Sequence, residues 1–468
     1  MAVTAGIMVP HPPLIIPDVG RGQEILIKDT IKAYQEAARL AEELKPDTIV
    51  VISPHGVMYA DYFHISPGKR ARGDFGSFRA PQVTVEAEYD EAFARKLEEI
   101  CLAEDFPMGT EGERDKELDH GTMIPLYFIN QRYREYKVVR IGVSGLPFTD
   151  HYRGGQYIAR TAQALGRSVF IVGSGDLSHK LRGDGPYGYS VQGPEYDERI
   201  MDTMGEGRFG ELLTCSGAFC EKAGECGHRS FTMMAGALDG MAVAVRRLSY
   251  EGPFGVGYGV CTFRVTGCDE GRHFLEEYEK GQEEASRKKQ MGEDAYVSLA
   301  RRSLEHYVRT GRLLPAWEAQ KHAPGEMLSA SAGVFVSIHK GGELRGCIGT
   351  ISPVCRNVAE EIIQNAVSAG IHDPRFPAVR AEELPQLDYS VDVLGGTEPV
   401  EGPGQLDPSR YGVIVSKGRR RGLLLPNLEG VDTVEEQLSI AKRKAGIREE
   451  DQDVELERFE VIRHGDKS

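Results

Sequence analysis

The stretch Ala5-Gly6-Ile7-Met8-Val9-Pro10-His11-Pro12-Pro13 decides how the first half of the chain is read. A short continuous apolar run stops at a histidine flanked by prolines. The arrangement returns in Thr48-Ile49-Val50-Val51-Ile52-Ser53-Pro54-His55-Gly56. Runs that are apolar at every residue belong to strands buried on both faces, the parallel strands of an α/β sheet. Open α/β sheets place their ligands beyond the carboxyl ends of those strands. Two imidazoles delivered there by two strand ends make the start of a metal site. Either histidine alone reads equally well as a strand cap satisfied by nearby backbone; the shared context favours function.

Between these runs, Ile27, Ile31, Tyr34, Ala38 and Ala41 recur at helical spacing, which predicts a helix from Gln23 to Leu44 stopped by Lys45-Pro46. A strand–helix–strand unit with parallel strands follows. Residues 62–88 read as an excursion over the sheet edge, and residues 90–101 as a second helix. Leu118-Asp119-His120-Gly121-Thr122 then opens an apolar helical segment, Met123 to Asn130. Asp119 there either orients His120 at the mouth of a pocket or simply caps the helix. Two further apolar strands are expected at Lys137 to Val143 and Ser168 to Val172. The second hands a histidine to a glycine-rich turn, Gly173-Ser174-Gly175-Asp176-Leu177-Ser178-His179. Histidines 11, 55, 120 and 179 all fall at the same expected edge.

A ferrous site of the oxygenase type takes two histidines and one carboxylate. The candidate for the third donor is Gly224-Glu225-Cys226-Gly227-His228, ahead of a helix expected from Ser230 to Leu248. Glu225 would complete a carboxylate triad and is favoured on ligand chemistry; Cys226 would give a softer His2Cys site. Residues 256–265 read as a closing strand. Gly255, Gly257 and Gly259 precede no helix, so they make a weak dinucleotide fingerprint.

The net charge of −15 over 468 residues argues against a nucleic-acid partner, because phosphate affinity comes from clustered Lys and Arg. The one basic cluster, Lys417-Gly418-Arg419-Arg420-Arg421, sits between two strand-like runs and reads as a hairpin tip. The first residues lack a basic region followed by an unbroken apolar core, and no stretch approaches the roughly 20 apolar residues of a membrane span. The cysteines form no C-x-x-C pair, which speaks against a disulfide framework or zinc ribbon. A reduced, cytoplasmic setting is expected.

The length calls for more than one domain. Residues 269–292 are dense in charge and predict a solvated connector. A new pattern then begins. Tyr296, Leu299, Ala300, Leu304, Tyr307 and Val308 form one face of a helix ending near Gly311. Val334 to Ile338 and Leu344-Arg345-Gly346-Cys347-Ile348-Gly349 make a hairpin about Gly341-Gly342. A helix from Val354 to Ala369 and the loop His372-Asp373-Pro374-Arg375-Phe376-Pro377 follow. Strands are expected at Asp388 to Leu394, Gly412 to Val415, Leu423 to Leu425 and Leu456 to Ile462. Thr433 and Glu436 form a capping box for a helix from Val434 to Ala445. The irregular alternation is that of an α+β domain. Cys347 reads either as a small strand residue among glycines or as a thiol whose ionised form the neighbouring Arg345 would favour.

Pro10-His11-Pro12, Ser53-Pro54-His55-Gly56, Asp119-His120-Gly121 and the Gly173–His179 run together resemble the class III extradiol ring-cleavage dioxygenases of the LigB type and their Memo-like relatives. The resemblance spans residues 1–268 and implies a mainly parallel-sheet α/β domain. It implies Fe(II), or another divalent metal, held by His11, His55 and a late carboxylate. His179 would be the acid/base, with His120 lying behind the ligands. The substrate implied is an aromatic diol cleaved with O2. Glu225-Cys226-Gly227 is as similar to the Cys-Gly of Memo-like proteins, which would mean a metal-binding redox or scaffold protein without ring cleavage. Residues 293–466 resemble the AMMECR domain family through Leu344–Gly349, Asp373–Pro377 and Tyr411–Pro426. That implies a smaller α+β domain, with Arg345 and Cys347 as its candidate site, and a radical-SAM protein as partner. Self-association is left open; neither nucleic acid nor a membrane is an expected partner.

Overall fold

The computed structural model describes residues 2–114, 117–428, 430–451 and 453–465. The chain forms two compact units, Met1–Glu279 and Lys280–Ser468. The first is built on a six-stranded mixed sheet in the order Lys137–Gly142, Thr48–Ser53, Val169–Ser174, Val3–Val9, Tyr258–Cys268, Met241–Glu251. The first four strands run parallel; the last two form an antiparallel hairpin laid against Val3–Val9.

The two-residue period of a strand decides which layer each side chain joins. Ile7, Val9, Ile49 and Val51 pack with Tyr34, Ala37 and Ala41 of helix Lys28–Leu44 and with Ile124 and Leu126 of helix His120–Ile129. The intervening Met8, Val50 and Ile52 face the other layer. There they join Phe93, Leu97, Tyr152, Ile158 and Phe231 from the helices Glu91–Ala103, Phe148–Leu165 and His228–Gly236. Val50, Val51 and Ile52 have no exposed surface, and each contributes about 1.5–3 kcal/mol relative to an exposed position.

The strand order determines the site. Val169–Ser174 is inserted between Thr48–Ser53 and Val3–Val9, so the strand that leads to Asp176 and His179 lies between those that lead to His55 and His11.

The expected helix from Ser230 to Leu248 is not a single element. It ends at Gly236, and residues 241–251 form a strand paired with Tyr258–Cys268. Gly240, at φ 69°, makes the break. The β-branched alternation Ala242-Val243-Ala244-Val245 then suits an edge strand better than a helix. Residues 274–292 are helical, and the connector buries more than its charge density led one to expect: Leu275 is buried with the core of the first unit, and the division falls after Glu279.

The second unit holds two four-stranded sheets. One comprises Glu343–Gly349, Val334–Lys340, Leu387–Leu394 and Val461–His464; the other Glu398–Val400, Glu455–Phe459, Gly412–Lys417 and Arg420–Leu424. Gly341 and Gly342 both have positive φ (60° and 84°), as a tight two-residue hairpin turn requires. The expected last strand is two: the chain passes from one sheet to the other at Glu460. The unit is α+β, with helices Ala295–Thr310, Val358–Val367 and Val434–Lys444.

Candidate metal centre

His11 follows the strand Val3–Val9 and is 2% exposed. Its backbone N–H donates to Asp176 Oδ1 at 2.7 Å. Its Nδ1 lies 3.0 Å from Ser174 Oγ, and that hydroxyl donates its single proton to the Gly121 carbonyl at 2.6 Å. Ser174 can therefore only accept from the ring. His11 carries its proton on Nδ1 and presents an Nε2 lone pair outward, the tautomer a metal needs.

That lone pair faces two other donors. His55 Nε2 is 3.0 Å away and Cys226 Sγ 3.4 Å away, and the donor atoms of the three residues all lie within 4.8 Å of one another. Burial, with His55, His120 and His179 adding to it, holds the His11 pKa well below its ordinary value. His55 is on the exposed side of the group, and burial lowers its pKa despite the nearby Asp119. The His120 ring packs 4.1 Å from that of His55 and 5.3 Å from that of His11, between centroids. Burial first, then His55, brings His120 down to about 4. Burial and His55 bring His179 to about 4. These imidazoles are neutral, as ligands must be.

Asp119 is the helix cap, and its carboxylate also reaches across to the His55 turn. It caps the helix at Thr122 N–H and accepts from Ser53 Oγ at 2.6 Å, and Ser53 Oγ in turn receives the His55 N–H at 3.2 Å. The buried Arg140 stands 3.6 Å from its carboxylate. One carboxylate thus ties the start of the helix His120–Ile129 to the His55 turn.

The side chain that the structure brings beside His11 and His55 is that of Cys226, not that of Glu225, which ligand chemistry favoured. Glu225 Oε2 accepts the His228 N–H at 2.6 Å, satisfying the first turn of a helix, and Glu225 does not join the donor group. Burial raises its pKa to about 7 against that N–H bond. Cys226 Sγ is the third donor atom that lies within reach of His11 and His55. Its segment approaches the Gly173–His179 turn so closely that a Cβ on Gly175 would meet Gly227 Cα at 2.1 Å. The Asp176 N–H donates to Cys226 Sγ at 3.2 Å. Burial raises the Cys226 pKa well above its ordinary value, and raises Asp176 to about 7 against the bond from His11. The donor set suits a borderline or soft cation: two neutral imidazoles and a thiol converge on one point. Ser174, Asp176 and Ser53 were not singled out as supports from the sequence; their positions at the last residue of a strand or within a glycine turn were the available signal.

In the second unit Arg345 does not serve the Cys347 thiol. Its Nε and Nη2 both donate to Glu383 at 3.0 Å, and Nη1 donates to the Pro377 carbonyl. Cys347 Sγ accepts from Ser337 Oγ at 3.2 Å, and its backbone is tied to Asp373 and Arg375.

A mixed α/β domain with imidazoles and a thiol gathered at its parallel-strand edge, followed by an α+β domain, defines the class of this protein. The chain belongs to the LigB family. Residues 5–261 match the family model described as the catalytic LigB subunit of aromatic ring-opening dioxygenase, and residues 297–464 match AMMECR1. A Clostridium acetobutylicum protein is 42% identical over 471 residues, covering 99% of both chains. A Thermotoga maritima protein is 53% identical over 175 residues, covering 37% of this chain and 99% of its own. Among solved structures, an uncharacterized protein from Pyrococcus horikoshii matches 36% of this chain and 88% of its own at 35% identity, with a TM-score of 0.34. Among the described residues no helix is long and apolar enough to cross a membrane.

Proposed function

We propose that the first domain is a Memo-like metal-binding redox domain that holds one divalent or softer d-block cation through His11, His55 and Cys226, and that it does not cleave aromatic rings. The observation that carries this reading is the placement of Cys226 Sγ 3.4 Å from His11 Nε2, with Glu225 committed to the helix at His228. A ring-cleaving ferrous site uses a carboxylate as its third ligand and leaves one face open for diol and oxygen. A thiolate in that position donates more electron density and favours softer ions such as Cu(I) or Zn(II) alongside Fe(II). The ion would supply redox or Lewis-acid chemistry. The chain supplies a His11 ring fixed by Ser174, a His55 ring on the accessible side, and the His120 ring packed against it at a tilt.

Anaerobic purification followed by metal analysis, then oxygen uptake across a panel of catechols, tests this reading. Metal that is retained by the parent and lost in Cys226→Ser, with no ring-cleavage product from any diol, is expected. Sustained ring cleavage by the parent protein would overturn it and restore the dioxygenase reading.

A further inference from the structure

Cys226 belongs to two donor groups. Besides His11 and His55, its sulfur lies with Asp176 and His179, and these three donor atoms are also within 4.8 Å of one another. The second group is held in place by its own bonds. The turn at residues 176–179 is laced to the turn at 223–227: Ser178 Oγ donates to the Ala223 carbonyl at 2.8 Å and the His179 N–H to the Gly224 carbonyl at 3.2 Å. The Gly227 N–H donates to the Asp176 carbonyl at 3.1 Å. Ser178 is held from behind by Asp197, which accepts its N–H at 2.7 Å. Two features leave this group short of partners. His179 Nε2 is buried with no hydrogen-bond partner, while the ring rests on Tyr187 with 5.1 Å between centroids. The Asp176 carboxylate spends Oδ1 on the His11 N–H and keeps further lone pairs.

Buried polar atoms without partners are exceptions that call for an explanation, and an unmodified imidazole nitrogen beside a carboxylate and a thiol is a ready cation ligand. We propose that Cys226 is a bridging thiolate, and that a second borderline d-block cation binds through Asp176, His179 and Cys226 beside the one held by His11, His55 and Cys226. The inference rests on the reading of that first ion. Geometry supports the pairing: the Asp176, His179 and Cys226 donor atoms already converge, and His179 Nε2 has no other partner. His179 is then a ligand and not a proton carrier.

Anaerobic titration of the metal-free full-length protein with Co(II) tests this. Two equivalents are expected to bind, with the thiolate-to-cobalt charge-transfer band rising through both. At saturation the paramagnetic resonance signal per cobalt should be strongly diminished, because two high-spin ions joined by one sulfur couple. His179→Gln and Asp176→Asn, each checked for folding by circular dichroism, should stop at one equivalent with an undiminished signal. Saturation of the parent at one equivalent with its charge-transfer band intact would remove the second ion and leave the first. No thiolate band at all would remove both. Two uncoupled ions, or two equivalents retained by both variants, would place the second ion elsewhere and overturn the bridge. If neither variant folds, coupling in the parent protein decides alone.

Discussion

Asp176 and Cys226 hold each other through reciprocal backbone bonds: the Asp176 N–H donates to Cys226 Sγ at 3.2 Å, while the Asp176 carbonyl accepts the Cys226 N–H at 3.4 Å. Residues 50 positions apart thereby present one thiol and one carboxylate to the same point. Glycines at 175 and 227 make the approach close enough.

The adjacent residues Glu225 and Cys226 should separate cleanly by mutation. Cys226→Ser should lose the metal and keep the fold. Glu225→Ala should keep the metal and lose about 1 kcal/mol through the unsatisfied helix terminus at His228. Metal analysis and urea denaturation measure the two effects; metal loss from Glu225→Ala would return the carboxylate to the ligand set.

His11 and His55 should be equally needed for metal but not for stability. Removing the buried His11 takes away the donor to Ser174 Oγ, which keeps only its bond to Gly121, and should cost about 1–3 kcal/mol. His55→Ala, on the exposed side, should cost about 0.5 kcal/mol or less. Unfolding of the two metal-free variants side by side checks the difference, and equal losses would contradict it.

Ser174 sets the His11 tautomer by accepting from Nδ1 while donating to Gly121. Ser174→Ala should weaken metal binding by about 10–100-fold with all donor residues intact. Competition against a chelator measures this, and an unchanged affinity would mean that the tautomer is set elsewhere.

His151 makes acid stability testable away from the donor group. It is fully buried and neutral: Nδ1 is 3.0 Å from the Pro147 carbonyl and Nε2 accepts the Ser144 N–H. Burial first, against the bond to Pro147, lowers its pKa to about 3. Below the ordinary value of 6.5 the unfolded chain takes up a proton that the folded chain refuses. Stability from this residue is therefore intact above pH 6.5 and falls as the pH drops toward 3, by about 2 kcal/mol between pH 6.5 and 5. His151→Gln should lose that part of the slope in denaturant midpoints measured from pH 7 to pH 5. An unchanged slope would show that the ring is already protonated in the fold.

The sequence by itself determined the framework. Wholly apolar runs ending in Pro10-His11 and Ser53-Pro54-His55 could bury both faces only as interior parallel strands, and chain polarity then put their histidines at one edge. Gly341-Gly342 and the Thr433/Glu436 capping box likewise specify their turn and helix start through local chemistry alone. Local pattern did not reveal that residues 241–251 leave the helix for an edge strand, because the run stays apolar past residue 236, and the break at Gly240 and the hairpin with Tyr258–Cys268 decide against a longer helix. Nor did it choose between Glu225 and Cys226. Neighbours in an irregular turn point in different directions, and which one enters the site depends on how closely the Gly175 and Gly227 backbones pack and on the need of the helix at His228 for an acceptor. Only the tertiary structure brings those long-range contacts together.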